Sequence, residues 1–327
     1  MRYPMLSNWV KIWNDGEAYR LKNILTDEEF GCSEFGDDAF IDFICRLDGK
    51  TDPYQIPCPY SREVVTGILE QLKAFSLLRT DRWVIKSLTG LTYSLIIPKR
   101  KASGHILSKI LNVLLVLLVF PSLLAVVMDF VPVVEAVDQI SVPGAILGGL
   151  LGGVLHEAGH AVAAWASGGM VFEFGVMMNY LILPGAYTLI ERNENAGFYQ
   201  NLQIDAAGIE VNALLAGLFF HTARIFPGLS DLFFMMGIMN LIFFLLNLTG
   251  VIGSDGSHIL GGLLGVEGEI GDEARETLFD RARFDYWMEK GPAGKARLGA
   301  YALILLMQAA IPAMIIVEVL GVFLWFA

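Results

Sequence analysis

Two kinds of hydrophobic pattern divide the chain near residue 100. Before it, apolar positions come in short amphipathic runs. Trp9 to Leu21 mixes β-forming residues with an Asn14-Asp15-Gly16 turn signal, which predicts a β-hairpin. Asp37-Asp38 begins a predicted helix with Phe40, Ile41, Phe43, Ile44 and Leu47 on its apolar side, ending at Gly49. Thr51-Asp52-Pro53 predicts an N-cap with proline in the first turn of a second short helix. A third helix is predicted from Ser61, with Glu63-Val64 in its first turn, to about Leu78, followed by a strand from Arg82 to Lys86. This order predicts a small α+β module of the winged-helix kind over residues 1–100. Beyond it the apolar runs lengthen. Five are long enough to cross a bilayer, near 106–130, 143–167, 196–220, 231–250 and 298–325. The expected architecture is mainly α: a membrane-spanning helical bundle over residues 101–327, joined to the N-terminal module.

Composition supports the membrane assignment. The chain is 54% apolar and only 17% charged, against about 25% charged residues in ordinary soluble domains. Its net charge of −11 argues against a nucleic-acid partner. The first twenty residues are too polar for the apolar region of a cleavable signal. Cys32, Cys45 and Cys58 lie in the N-terminal module without a C-x-x-C pair and read as reduced thiols. Lys and Arg concentrate before the first span (Lys99, Arg100, Lys101, Lys109), between the second and third (Arg192), and between the fourth and fifth (Arg275, Arg281, Arg283, Lys290, Lys295, Arg297). The opposite loops, 131–142 and 221–230, hold only Arg224. The positive-inside rule then places the N-terminal module in the cytosol and the C-terminus outside. The acidic approach to residues 268–297 fits either a surface helix or a gate.

The second span contains His156-Glu157-Ala158-Gly159-His160. Positions i and i+4 share a helix face, so both imidazoles can reach one Zn²⁺ and Glu157 stands beside it as a general base. Polar groups in the middle of an apolar span are costly and mark function; a hydrogen-bond cluster is the structural alternative. A catalytic zinc needs a third ligand and an open position. Asp255, at the cytosolic end of the fourth span, reaches the right depth if residues 250–256 form an irregular stretch dipping into the bundle. His258, Asp205 and Glu210 compete with it. His258 reads more naturally as a neighbour of the site. Asp205 reads as an acid beside the site, a proton relay or a satisfied interfacial carboxylate, and Glu210 as a structural group.

A helix-borne His-Glu-x-x-His followed two spans later by Asn247-Leu248-Thr249-Gly250-Val251-Ile252-Gly253-Ser254-Asp255-Gly256 resembles the site-2 protease family of intramembrane zinc metalloproteases. The resemblance covers spans two to four. It implies zinc held by His156, His160 and Asp255, with Glu157 as general base. Asn247 would stand near the ligands. The family's glycine-and-asparagine motif maps onto Ala207-Gly208-Ile209-Glu210-Val211-Asn212, so Asn212 would hold the scissile carbonyl or its oxyanion. The chain departs from the family at Gly250 and Ser254, where proline and leucine are usual, and at Ile209, where proline is usual.

The predicted N-terminal hairpin, the Leu47-Asp48-Gly49-Lys50-Thr51 loop and the final helix entering a strand resemble the winged-helix domains that bind leader peptides in ribosomal peptide maturation. The implied partner is a peptide or a membrane-protein precursor, bound by strand addition. Residues 170–190, rich in β-branched and aromatic positions around Pro184-Gly185, predict a re-entrant hairpin. Other functions are cleavage of a membrane-anchored regulator, a non-proteolytic peptide export or binding role, and metal transport through His156, His160, Asp205 and Asp255. Transport leaves Glu157 without a task.

Overall fold

The computed structural model describes residues 2–7, 10–14, 19–23, 29–32, 38–79, 83–87, 90–96, 106–179, 183–193, 195–249, 254–266 and 270–326. The chain divides into two compact units. One holds residues 1–101 together with 171–190, and the other holds the remainder.

The first unit opens with β1 (Met5–Leu6), β2 (Val10–Asn14), β3 (Tyr19–Asn23) and β4 (Glu29–Cys32). Strands β2 and β3 pair antiparallel with Ile12 opposite Leu21, where the sequence predicts a hairpin, and β4 adds a third strand. The Asp15-Gly16 turn lies outside the described residues. Helix α1 (Asp38–Cys45) and helix α2 (Arg62–Ala74) follow. The apolar side of α1 buries Phe40, Phe43 and Ile44 against Val65, Ile68 and Leu72 of α2, with Val10 and Leu21 beneath them. Ser61 caps α2 by accepting from Val64 N–H. The short helix expected after Asp52 is a single 3-10 turn, Pro53–Gln55. Its length has a local cause: Pro57 drives Ile56 to extended backbone, ψ 124°, because a residue before proline disfavours the helical region.

Strands β5 (Leu78–Arg79), β6 (Trp83–Ser87) and β7 (Gly90–Ile96) complete the N-terminal part; β5 pairs with β1. The 170–190 segment forms β8 (Met170–Asn179) and β9 (Leu183–Glu191). The expected turn at Pro184-Gly185 is corrected: both residues lie inside β9, and the connection falls at residues 180–182, outside those described. Proline is tolerated there because β9 is an edge strand. The sheet order is β6-β7-β8-β9, with Tyr93 opposite Val176. At the start of β8, Glu173 is almost fully buried. Its carboxylate accepts from Arg79 Nη1 at 2.7 Å and from the Tyr187 hydroxyl. A buried charge is tolerable only with such complete pairing.

The second unit is helical. It comprises α3 (Ile106–Ala136), α4 (Val142–Ala166), α5 (Phe198–Ile225), α6 (Ser230–Leu248), α7 (Asp255–Leu264), α8 (Ile270–Phe279), α9 (Arg281–Glu289) and α10 (Gly291–Phe326). Four described helices, α3, α4, α5 and the stretch Pro227–Leu248 that contains α6, are long and apolar enough to span a membrane. They fall on the first four predicted segments. The fifth segment lies within α10, whose side chains beyond residue 310 are outside the description.

Helix α5 is the most enclosed of the four. In lipid, helices associate through small residues that let backbones approach, and α4 carries such a stripe. A Cβ at Gly148 would stand 2.6 Å from Met236 Cα on α6, and one at Gly152 2.6 Å from Asn240 Oδ1. Asn240, fully buried, donates to Gly148 O at 3.3 Å and Met236 O at 2.9 Å. Further along α4, a Cβ at Gly159 would lie 2.8 Å from Ala207 O on α5. The same helix is thus drawn against α6 by its first half and against α5 by its second.

Candidate metal centre

The close approach of α4 to α5 determines where the histidines point. His156 and His160, one turn apart on α4, bring their Nε2 atoms to 3.3 Å from each other. Helix α7 supplies the third group. Ser254 caps α7, accepting from Ser257 N–H, and its hydroxyl donates to Thr249 O at 2.6 Å, which ties the start of α7 to the end of α6. Gly256 makes that join possible, since a Cβ there would sit 2.7 Å from Asn247 O. Asp255, in the first turn of α7, extends its carboxylate between the two imidazoles: Oδ2 is 3.1 Å from His156 Nε2 and Oδ1 is 3.3 Å from His160 Nε2. The expected irregular stretch is therefore helical from Asp255 onward, and residues 250–253 lie outside those described.

These three side chains form a group able to hold a metal ion, and three observations test the fit. First, ligands about 2.0–2.1 Å from a tetrahedral zinc lie about 3.3–3.4 Å from one another; the closest separations here are 3.1, 3.3 and 3.3 Å. Second, Asp255 Oδ2 is buried without a hydrogen-bond partner although it lies 3.1 Å from His156 Nε2. Third, Gly208 on α5 leaves open the space they face. A Cβ there would lie 2.5 Å from the Nε2 atoms of both histidines. The donor set, two imidazoles and a carboxylate, suits zinc among the divalent metals.

Each imidazole is also held from behind by α5. His160 Nδ1 lies 2.6 Å from Ile204 O; a carbonyl only accepts, so Nδ1 carries the proton and Nε2 presents a lone pair to the centre. His156 Nδ1 lies 2.8 Å from the amide of Asn212, which is wholly buried. Asn212, expected to hold the scissile carbonyl or its oxyanion, has its amide against a histidine. Glu157 is half-buried, next to His156 on α4.

The other expected residues have partners or surroundings of their own. Asp205 forms an ion pair with Arg192. His258 is exposed one turn beyond Asp255, and with Asp205, Arg192, Asn201 and Phe198 it lines a cavity of about 440 Å³. Asn247 donates to Phe243 O of its own helix at 3.1 Å. Glu210 accepts from Gln203 at 2.7 Å. The sequence reading did not anticipate Ile204 O, the task of Gly208, or the buried Asp129 of α3, which pairs with Arg224 and His221 of α5 at 2.5 and 2.9 Å. A signal existed for one of them: Gly208 and Asn212 are four residues apart, hence on one face of α5.

Comparison with protein-family models, with curated proteins and with solved structures finds no match.

Proposed function

We propose that this protein is an intramembrane zinc endopeptidase. The observation that supports it best is the convergence of His156, His160 and Asp255 on the space left by Gly208, with both histidines on a helix apolar enough to span a membrane. A bound zinc ion would supply a Lewis acid that acidifies water and polarises a peptide carbonyl. His156, His160 and Asp255 would hold the ion. The Glu157 carboxylate accepts the proton released as water adds to the scissile carbonyl. It then returns that proton to the departing amine as the C–N bond breaks.

The substrate class we assign is a peptide or membrane-associated precursor, recruited by the N-terminal module in the maturation of a small ribosomally made peptide. The module's resemblance to leader-binding domains supports that choice. Its placement in the cytosol, with the protein in the cell membrane, rests on the loop charges.

The test uses zinc-loaded, detergent-purified full chain incubated with a pool of apolar helix peptides bearing varied N-terminal extensions, read by mass spectrometry for new termini. Cleavage by wild type that vanishes in Glu157→Gln, with zinc still bound, supports the reading. Equal activity in both proteins, or zinc binding without cleavage of any peptide in the pool, would overturn it in favour of metal transport or peptide export.

A further inference from the structure

We infer that Asn212 is a positioning residue for the metal: its side-chain amide sets which nitrogen of His156 carries the ring proton. The inference rests on the metal-centre reading above and concerns a residue that holds a ligand, not one that meets substrate.

Neutral imidazole has one N–H and one lone pair, and the partner of one nitrogen fixes the state of the other. For His160 the partner is Ile204 O, which has one option. For His156 the partner is a primary amide, which has two. In the structure the Asn212 Nδ2 group faces His156 Nδ1 at 2.8 Å. An NH₂ group donates, so Nδ1 accepts, and in the neutral ring the proton sits on Nε2. That tautomer cannot ligate through Nε2. Asn212 Oδ1 is meanwhile buried with no partner.

Rotating the amide by half a turn exchanges oxygen for nitrogen at nearly constant shape. Oδ1 then accepts from Nδ1–H, the ring proton leaves Nε2, and the lone pair of Nε2 faces Asp255 and His160 Nε2. The rotated arrangement is the one that suits a bound metal. Aspartate at 212 could serve only the second and leucine neither. Asn212 is 0% exposed, so water cannot substitute for it. The packing that encloses the residue also separates this role from one at an oxyanion.

The experiment measures zinc affinity of the full chain in detergent by competition with a chromophoric chelator, for wild type, Asn212→Leu and Asn212→Asp. Removing the hydrogen-bond partner of a metal-bound histidine typically weakens binding about 10- to 100-fold. We expect that loss in Asn212→Leu and affinity at or above wild type in Asn212→Asp. In ¹⁵N-histidine spectra of zinc-loaded wild type, the His156 ring proton should sit on Nδ1. Affinities within about twofold in all three proteins, with turnover lost in both variants, would overturn the inference and make Asn212 a substrate contact. If Asn212→Leu fails to fold, the Asn212→Asp affinity and the wild-type spectra decide alone. An affinity well below wild type in Asn212→Asp, or a zinc-loaded His156 ring without a proton on Nδ1, overturns it. Wild type that binds no zinc would sink the metal-centre reading itself, a result distinct from zinc bound with unchanged affinity.

Discussion

Replacing Gly208 with alanine adds one methyl group to the helix that faces both histidines. The new Cβ would stand 2.5 Å from His156 Cε1, His156 Nε2 and His160 Nε2, where ordinary contact begins at 3.4 Å. Each ring must therefore retreat by about 0.9 Å, or α4 and α5 must part by a similar amount. Metal sites tolerate displacements of about 0.2 Å, so the centre should fail. The fold should not. Alanine gains about 1 kcal/mol of helix propensity over glycine, against an overpacking cost of about 1–3 kcal/mol, which leaves at most about 2 kcal/mol of net destabilisation. The assay is bound zinc per chain by elemental analysis, beside the thermal midpoint of the metal-free protein. Gly153→Ala is the control: it lies on α4 one turn before His156, and its Cβ would meet nothing within 4 Å. We expect zinc lost in Gly208→Ala, zinc retained in Gly153→Ala, and both proteins folded. Zinc bound by Gly208→Ala as tightly as by wild type would refute the placement of the metal in that space.

Other consequences lie elsewhere in the molecule. Arg79→Ala strands the buried Glu173 carboxylate and should cost about 3–5 kcal/mol, read as a lower thermal midpoint of the full chain; the apolar triple change Arg79→Met, Glu173→Leu, Tyr187→Phe should recover much of it. Gly148→Leu would drive a side chain into the Met236 backbone and should abolish recovery of folded protein, whereas Gly149→Leu, which meets only the flexible end of Met239 at 3.7 Å, should be recovered normally in a detergent monodispersity assay. Hydrogen bonds from Thr51 N–H and Lys50 N–H hold the Asp48 carboxyl below its ordinary 3.8. Its contribution to the loop is thus present above about pH 4 and fades as pH falls further; Asp48→Ala should speed hydrogen exchange of those two amides at pH 7, with the difference from wild type shrinking in acid.

Local signals were legible in the sequence, and non-local pairings were not. The β2–β3 hairpin, α1 and its apolar face, the cap at Ser61 and the first four apolar segments all follow from short-range pattern, because period, cap and turn residues act within a few positions. The pairing of β7 with β8 joins residues about 80 apart (Ile96 with Glu173, for example), and no local rule selects it. Pro184-Gly185 misled for a related reason: the dipeptide signals a turn, but an edge strand admits it. At the metal group, His156, Glu157 and His160 carry a spacing with a mechanism, so the motif stood out. Asp255 needed the depth argument. The dependence of His156 on Asn212 and of His160 on a bare backbone carbonyl required the α4–α5 contact, which the small residues Gly159, Ala207 and Gly208 allow but do not announce. The Asp129, Arg224 and His221 cluster was hidden likewise, since its partners come from two spans.

The most direct test of the central claim is zinc K-edge X-ray absorption on purified full chain loaded with one equivalent of metal. The expected result is a four-coordinate nitrogen and oxygen shell at about 2.0–2.1 Å, with multiple scattering from two imidazoles, one of which disappears in His160→Ala. A six-coordinate, oxygen-only shell, or a spectrum unchanged by His160→Ala, would contradict it.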